Sequence, residues 1–171
     1  MDSEHGTLRQ AGDVWQVVFT RRLHHPPERV WRALVEPDEL RAWFPSTIDG
    51  ERRAGAPLQF GFDGMAEPID GTMHVFDPPK VLELSWGGDR LRFELAPDGD
   101  GTTLTLIDSL EALGKAARDA AGWHVCLEHL VDELDGNPPR EVAWKPLNEA
   151  YAERFGPEAA TIGPPEGHAE A

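Results

Sequence analysis

The residue types best suited to acid–base or metal chemistry gather in one stretch, His124-Val-Cys-Leu-Glu128-His129. Helices of inverted-motif zinc proteases place two residues between the first His and the Glu-His pair, whereas three intervene here. His124 and His129 then lie about 140° apart around a helix, so they do not share a metal ion. We interpret His124 and Glu128 as a hydrogen-bonded surface pair. His124 is the one group expected to titrate near neutral pH at a cavity mouth.

Other reactive side chains lack the partners that their chemistry needs. His24 and His25 end a strand and point to opposite faces, so they do not form a chelating pair. The run Asp98-Gly-Asp-Gly101 begins like a calcium loop, but Ser109 stands where the closing Glu belongs. No serine lies in a Gly-x-Ser-x-Gly elbow, no glycine run forms a nucleotide-binding loop, and Cys126 is the single thiol. We therefore assign no catalytic residue, no metal ligand and no cofactor.

Aromatic and methionine side chains on predicted strands, together with residues of a long predicted helix, are the candidates for a ligand cavity. Flat and adaptable apolar groups line most small-molecule sites, although the same residue types also fill ordinary cores. Small residues near the beginning of the helix either leave room for a ligand or allow close helix–sheet packing. The candidates are Phe60, Phe62, Met73, Trp86, Phe93, Ala120, Trp123, His124 and Leu127.

The elements that position these residues follow a simple order. Val14–Leu23 is rich in β-branched and aromatic residues with a period of two, which predicts a strand. Gly6–Gln10 gives a weaker indication of a short partner strand. Pro26–Leu34 and Pro37–Phe44 predict two short helices, because proline and acidic residues occupy their first turns. Between Gly55 and Asp108, alternating apolar runs bounded by Gly, Pro and Asp predict an antiparallel meander.

The longest helical pattern covers about Leu113 to Leu134 and has one apolar side, followed by Gly136 as a C-terminal stop. Trp144–Phe155 predicts a further helix packed on the domain. The residues after it include few large apolar side chains, which is typical of a flexible tail. The expected organisation is an N-terminal segment 1–13, a main domain 14–136, a helical extension 137–156 and a flexible tail 157–171.

This order of elements is that of a helix-grip fold, and several segments resemble one superfamily. The run Phe19-Thr-Arg-Arg-Leu, followed by Pro26-Pro-Glu-Arg-Val-Trp-Arg-Ala-Leu-Val-Glu-Pro-Asp-Glu-Leu-Arg-Ala-Trp-Phe44, resembles the opening signature of START-like SRPBCC proteins. The match is closest to the branch named after the activator of the heat-shock chaperone ATPase (AHSA-type). Later segments agree: Asp77-Pro-Pro-Lys-Val-Leu-Glu-Leu-Ser-Trp86, Gly101-Thr-Thr-Leu-Thr-Leu and Ala121-Gly-Trp-His-Val-Cys-Leu-Glu-His-Leu130.

The resemblance covers roughly residues 6 to 156. It implies an α+β fold in which a curved antiparallel sheet of about six strands wraps around the long C-terminal helix. It also implies a cavity for apolar small molecules between sheet and helix. Members of the superfamily include lipid carriers, hormone receptors, polyketide cyclases and co-chaperones, so the resemblance is more specific for fold than for function.

Composition narrows the function classes further. The chain has 171 residues, with 16 basic and 31 acidic side chains and a formal net charge of −15. That charge repels phosphate backbones, so we expect no nucleic-acid binding. No stretch approaches the roughly 20 apolar residues of a membrane span. A single cysteine and an N-terminal segment unlike a secretory signal favour a cytoplasmic location.

The leading hypothesis is non-catalytic binding of an apolar or amphipathic small molecule, lipid-like or polycyclic, between sheet and C-terminal helix. One alternative is a cyclase- or hydrolase-like enzyme that uses the same cavity, with His124 as acid–base group and Arg92 or Glu128 as polar helpers. The other is a co-chaperone-like module that contacts a chaperone or a second copy of the chain.

Overall fold

A single antiparallel sheet of eight strands organises residues 5–163, the part of the chain that this computed structural model describes. Neighbouring strands follow the order β1-β2-β8-β7-β6-β5-β4-β3, and every paired neighbour is antiparallel. The strands are β1 (Thr7–Ala11), β2 (Val14–Leu23), β3 (Thr47–Asp49), β4 (Pro57–Gly61), β5 (Ile69–Asp77), β6 (Val81–Trp86), β7 (Asp89–Asp98) and β8 (Gly101–Ser109).

The sheet has eight strands, whereas about six were expected from the sequence. The additional strands are β1, which the sequence indicated only weakly, and β3, which the sequence did not reveal. With three residues, β3 is too short to show an alternating pattern. Both additional strands lie at the two edges of the sheet. The predicted α+β architecture, a curved antiparallel sheet with a long helix, is confirmed.

In the described part of the chain, four α-helices accompany the sheet: α1 (Pro27–Val35), α2 (Pro37–Trp43), α3 (Ala116–Asp135) and α4 (Trp144–Phe155). The predicted long helix begins three residues later than expected, because Leu113–Lys115 form a 3-10 turn that leads into α3. Gly136 ends α3 in the left-handed conformation, with φ of 72°. Glycine adopts this conformation without a steric penalty, as the sequence predicted.

Close packing of α3 uses its small residues. Ala116, Ala117, Ala120 and Ala121 are all fully buried, so α3 lies close to its neighbours in the fold. The inward residues of the central strands alternate with outward ones, as a sheet with one buried face requires. They form one contiguous hydrophobic core with the helices, which includes Leu84, Leu91, Phe93, Leu104 and Leu106.

The first residues of the expected tail are packed in the structure. Pro157–Ala160 form a 3-10 helix in which Ala159 is buried. The Ile162 amide donates a hydrogen bond of 3.1 Å to the Gly114 carbonyl. A Cβ on Gly114 would lie 2.0 Å from Thr161 Oγ1, so glycine permits this close approach. Small residues thus hold the segment without large apolar side chains. The predicted tail residues 164–171, like residues 1–4, lie outside the described residues.

Within residues 5–163, no helix is long and apolar enough to span a membrane.

Two glycine-to-alanine substitutions test the packing in opposite directions. In Gly71→Ala, the new Cβ would lie 2.5 Å from Phe60 Cε2 and 3.2 Å from the Ser85 carbonyl oxygen. We expect the overpacking to lower the free energy of unfolding by about 1–3 kcal/mol. Gly122→Ala lies within α3 with no atom within 4 Å of the new Cβ, and helix propensity predicts a gain of up to about 1 kcal/mol. Urea unfolding measures both. If Gly71→Ala were more stable than Gly122→Ala, this would contradict the close packing at Gly71 and the open space at Gly122.

Candidate functional site

Trp86, the last residue of β6, is the centre of a group of aromatic side chains. Its ring centre lies 5.1 Å from that of Phe60, 5.2 Å from Phe44, 5.6 Å from Phe62 and 5.7 Å from Trp123. Most of these contacts have the edge-to-face or tilted geometry that aromatic pairs prefer. We call these five residues the aromatic cluster.

Side chains from β6, β4, α3 and the end of α2 make up most of the aromatic cluster. Trp86 continues the inward series of β6, while Phe60 is an inward residue of β4. Trp123 projects from α3, and Phe44 caps the C-terminus of α2. Four of the predicted ligand-binding residues (Phe60, Phe62, Trp86 and Trp123) therefore lie together in the aromatic cluster. Phe44 was noted as apolar but was not predicted to be part of the site.

The aromatic cluster reaches the surface at one place. Phe44, Phe60 and Trp123 are buried, whereas Phe62 and Trp86 are half-buried. Phe62 begins the loop that joins β4 to β5. In that loop the Met65 side chain is 52% exposed, and its amide donates a 3.1 Å hydrogen bond to the Phe62 carbonyl. Apolar side chains therefore continue from the buried cluster to the solvent.

Four other predicted ligand-binding residues lie in the hydrophobic core. Met73, Phe93, Ala120 and Leu127 are each at most 2% exposed. Phe93 contacts Trp43, whose ring centre is 6.0 Å away. These side chains are packed against neighbouring side chains.

His124 lies in a different environment from the aromatic cluster. Its Nδ1 is 2.8 Å from the hydroxyl oxygen of Tyr151, and its ring centre lies 6.2 Å from that of Phe19. The expected pairing with Glu128 is present as a 3.6 Å contact from Nε2. His124 is nevertheless buried, not on the surface, because α4 covers this side of α3 and brings Tyr151 onto it. The sequence could not reveal this partner, which lies 27 positions away.

A second feature beside the aromatic cluster is a group of three aspartates from β7, β8 and α3. Asp89, Asp108 and Asp119 each place one carboxylate oxygen within 4.8 Å of the others. We call them the carboxylate cluster. Trp123 joins the two clusters, because its indole N–H donates a 3.2 Å hydrogen bond to Asp108 Oδ2. Sequence reasoning missed these aspartates. The available signal was Asp108 itself, which occupies an inward position of β8 after Leu104 and Leu106.

Charge in the carboxylate cluster is balanced by Lys115. Its Nζ lies 2.6 Å from Asp89 Oδ1 and 3.8 Å from Asp119 Oδ2, and the Glu111 amide also donates to Asp89. Burial alone would lower the pKa of Lys115, but the hydrogen bond to Asp89 and the surrounding aspartates raise it overall. Lys115 thus stays protonated. Three carboxylates are suitable oxygen ligands for a hard cation, and here the ammonium group already neutralises one negative charge.

The surroundings of Asp108 favour its protonated form. Burial raises the pKa of Asp108 well above its ordinary value, and a hydrogen bond with Asp89 and the charges of Asp89 and Asp119 act in the same direction. Among the described residues, Asp89 Oδ2 and Asp108 Oδ1 lack a conventional hydrogen-bond donor. The raised pKa of Asp108 favours a carboxylic acid proton there, and we expect this proton to be shared with Asp89 as the missing donor.

Two cavities lie outside the aromatic cluster. The first, of about 310 Å³, is lined by Leu8, Trp15, Leu113, Phe155, Gly156, Pro157, Glu158 and Ala159. The second, of about 520 Å³, is lined by Ala11, Val14, Gln16, Ser85, Gly87, Gly88, Asp89, Arg90, Ser109 and Leu110. Neither is lined by any of the predicted ligand-binding residues.

The remaining reactive candidates have structural partners. His25 Nε2 lies 2.7 Å from Asp135 Oδ1, and His129 Nε2 lies 2.9 Å from the Arg140 carbonyl oxygen. Arg92 pairs with two glutamates along the sheet, at 3.0 Å from Glu83 and 2.5 Å from Glu94. Burial raises the pKa of the Cys126 thiol to about 12, which removes its nucleophilic thiolate form near neutral pH.

Asp108→Asn tests the shared proton. Because the folded chain holds this proton more tightly than the unfolded one, the contribution of Asp108 to stability falls as pH rises above the ordinary carboxyl pKa. Asn mimics the protonated acid and still accepts from Trp123. Relative to the wild type, we therefore expect the variant to gain stability between about pH 5 and pH 8 in urea unfolding.

Asp132→Asn is the matched control for that titration. Hydrogen bonds from Arg140 lower the pKa of Asp132, so its contribution is complete above the ordinary carboxyl pKa and is lost only in more acidic solution. The control should be destabilised by the same amount at both ends of the pH range. An Asp108→Asn difference that is also independent of pH would contradict the shared proton.

Tyr151→Phe tests the contact that buries His124. The Tyr151 hydroxyl accepts a 2.8 Å hydrogen bond from the Gly6 amide in addition to its contact with His124. Its loss leaves the buried Gly6 amide without its acceptor, so we expect the free energy of unfolding to fall by about 1–3 kcal/mol. Thr47→Val removes an exposed hydroxyl, and its expected effect is within about 0.5 kcal/mol. Equal losses in the free energy of unfolding, by heat or urea, would show that the buried contact contributes no more to stability than the exposed one.

Comparison with known proteins places this architecture in one family. A sequence model described as "Activator of Hsp90 ATPase homolog 1-like protein" matches residues 24–135. No curated protein matches the chain. A conserved protein of unknown function, EF2215 from Enterococcus faecalis, is 20% identical with a TM-score of 0.76, over 88% of this chain and 90% of that chain.

Two further solved structures share the fold. CalU16 from Micromonospora echinospora is 23% identical with a TM-score of 0.70, over 92% of this chain and 94% of that one. Aha1 from Colwellia psychrerythraea, described as a dimer, is 23% identical with a TM-score of 0.60, over 70% of this chain and 95% of that one. The family match and the shared fold confirm the resemblance seen in the sequence: this chain belongs to the Activator of Hsp90 ATPase homolog 1-like family, an AHSA-type branch of the SRPBCC proteins.

Proposed function

We propose that the chain binds an apolar or amphipathic small molecule, lipid-like or polycyclic, at the aromatic cluster between the sheet and α3. The observation that carries this proposal is the half-buried state of Phe62 and Trp86, at the end of an otherwise buried group of rings. Ligand-binding sites are lined mainly by apolar and aromatic side chains. A cluster open at one end offers such a lining to a molecule from solution.

Phe62 is the side chain against which a ligand would pack at the entrance. It contacts Trp86 from the loop after β4 and is not held inside a strand. Two large apolar side chains near it are exposed, since Met65 is 52% and Ile69 36% accessible. A ligand ring or alkyl chain that packs against the rings of Phe62 and Trp86 would be covered by Met65.

The carboxylate cluster favours an amphipathic ligand over a purely apolar one. Trp123 contacts Trp86 with one side of its indole and binds Asp108 through its N–H. The protonated Asp108, Asp89 and Lys115 thus lie one side chain away from the aromatic rings. A hydroxyl or amide on the ligand would find donors and acceptors there, while its apolar part packs against the rings.

Neither alternative function gains a comparable observation. The acid–base role considered for His124 would need a substrate beside it, but its ring is buried against Tyr151 and Phe19. The Colwellia relative described as a dimer is too distant in sequence to transfer its assembly to this chain. Small-molecule binding is therefore the single function that we propose.

Native mass spectrometry of the purified protein tests this function, followed by denaturing extraction of any bound molecule. Lauric acid and 2-naphthol serve as added probes, one lipid-like and one polycyclic. We expect one equivalent of a co-purified molecule or of a probe per chain. In Phe62→Ser, binding should weaken at least about tenfold, because the ring-lined entrance is lost, which corresponds to about 1.4 kcal/mol.

Phe76→Ser is the matched control. Phe76 is also half-buried, but it packs against Trp31 at 5.4 Å, outside the aromatic cluster. Its affinity for the same molecule should stay within about twofold of the wild type, a change of less than 0.5 kcal/mol by the usual conversion. Equal loss in both variants, or the absence of both a co-purified molecule and probe binding, would overturn the proposal.

A further inference from the structure

A cleft separate from the aromatic cluster lies between the β1–β2 hairpin and the C-terminal segment of the described chain. This is the cavity of about 310 Å³ introduced above, which we call the hairpin cleft. Its volume falls at the lower end of the range for small-molecule sites. All of its lining residues except Leu113 lie outside residues 24–135, the range that matches the family. The hairpin cleft is therefore not part of the sheet–α3 site.

Large apolar side chains face the hairpin cleft without filling it. Leu8 and Trp15 come from the hairpin, which forms one edge of the sheet. Leu113 and Phe155 approach from the helical side, and all four are only partly buried although they pack on the core. Ala159 is buried beneath them. A flat molecule would therefore remove apolar surface from water on both of its sides.

Hydrogen bonds hold the two walls of the hairpin cleft at a fixed separation. The Gly6 amide, beside β1, donates to the Tyr151 hydroxyl of α4 at 2.8 Å. On the other side, the Leu110 amide donates to the Trp15 carbonyl at 2.8 Å and the Ile162 amide to the Gly114 carbonyl at 3.1 Å. Ligand binding to such a cleft needs little ordering of the chain, which favours affinity.

The charge of the hairpin cleft selects the ligand. Glu158 is the one ionisable residue among its described lining residues, and it is exposed. The whole chain has a formal net charge of −15, which attracts cations and repels carboxylates. Aromatic faces such as those of Trp15 and Phe155 also attract ammonium groups.

We propose that the hairpin cleft binds a small aromatic amine, with its ring system between Trp15 and Phe155 and its ammonium group beside Glu158. The amine is a distinct ligand from the one proposed for the aromatic cluster. The two sites share no lining residue, so either proposal can fail without the other.

Three probes with the same ring system separate charge from apolar contact: 2-(2-naphthyl)ethylamine, the neutral 2-(2-naphthyl)ethanol and the anionic 2-naphthylacetic acid. Isothermal titration calorimetry on the full chain measures their affinities at neutral pH. We expect the amine to bind most tightly, the alcohol less tightly and the acid least. Phe155→Ala should weaken the amine and the alcohol alike, because it removes apolar contact common to both.

Glu158→Gln should weaken the amine about fivefold while leaving the alcohol unchanged, since it removes only the ion pair. Glu153→Gln is the matched control, an exposed acid of α4 that does not line the hairpin cleft, and it should bind the amine as the wild type does. Phe62→Ser should also leave amine binding unchanged, which separates this site from the aromatic cluster.

Three results would overturn the proposal. They are no binding of the amine at millimolar concentration, equal affinities for the amine and the acid, and equal effects of Glu158→Gln and Glu153→Gln. Circular dichroism of each variant shows that it is folded before it is titrated. If Phe155→Ala does not fold, the comparison of the two glutamate variants decides the question without it.

Discussion

The hydrogen bond from the Trp123 indole to Asp108 joins the two contrasting parts of the interior. On one side of Trp123 lie aromatic rings that exclude water, and on the other lies a carboxyl group that water would ordinarily solvate. Such a group is tolerated in the interior only when it is neutral or fully paired. The raised pKa of Asp108 favours its neutral form and so meets this condition, while Lys115 compensates the charge of Asp89.

The polar contacts of this carboxyl group and its neighbours also hold the beginning of α3 against the sheet. Lys115 lies in the 3-10 turn just before α3 and Trp123 lies in the N-terminal half of α3, and both bind aspartates of the sheet. The helix is thus held by directional contacts as well as by apolar packing, which alone permits a helix to slide. Small side chains then allow α3 to lie close to its neighbours. The position of the aromatic cluster follows from this arrangement, because Trp123 belongs to both groups.

Much of the fold could be predicted from local patterns, whereas features set by tertiary contacts could not. Alternation identified six strands and helical spacing identified four helices, but a three-residue strand such as β3 has no readable period. Phe60 and Trp86 could be proposed from the sequence because alternate residues of a strand face the same side, and Trp123 because it lies on the apolar stripe of the long helix. Asp89 and Asp108 were missed because aspartate ordinarily marks turns and surfaces. Their burial depends on Lys115, which approaches only when α3 packs on the sheet. The burial of His124 likewise depends on α4.

The hydrogen bond between Gly6 and Tyr151 spans 145 positions of the chain. Strand β2 likewise pairs with β8, where Val17 lies opposite Asp108. A two-stranded hairpin alone is at best marginally stable in water. The β1–β2 hairpin is synthesised before β8 and α4, so these contacts form only after those later segments have been made. An early segment of the described chain is therefore stabilised late, and such distant contacts favour slow folding.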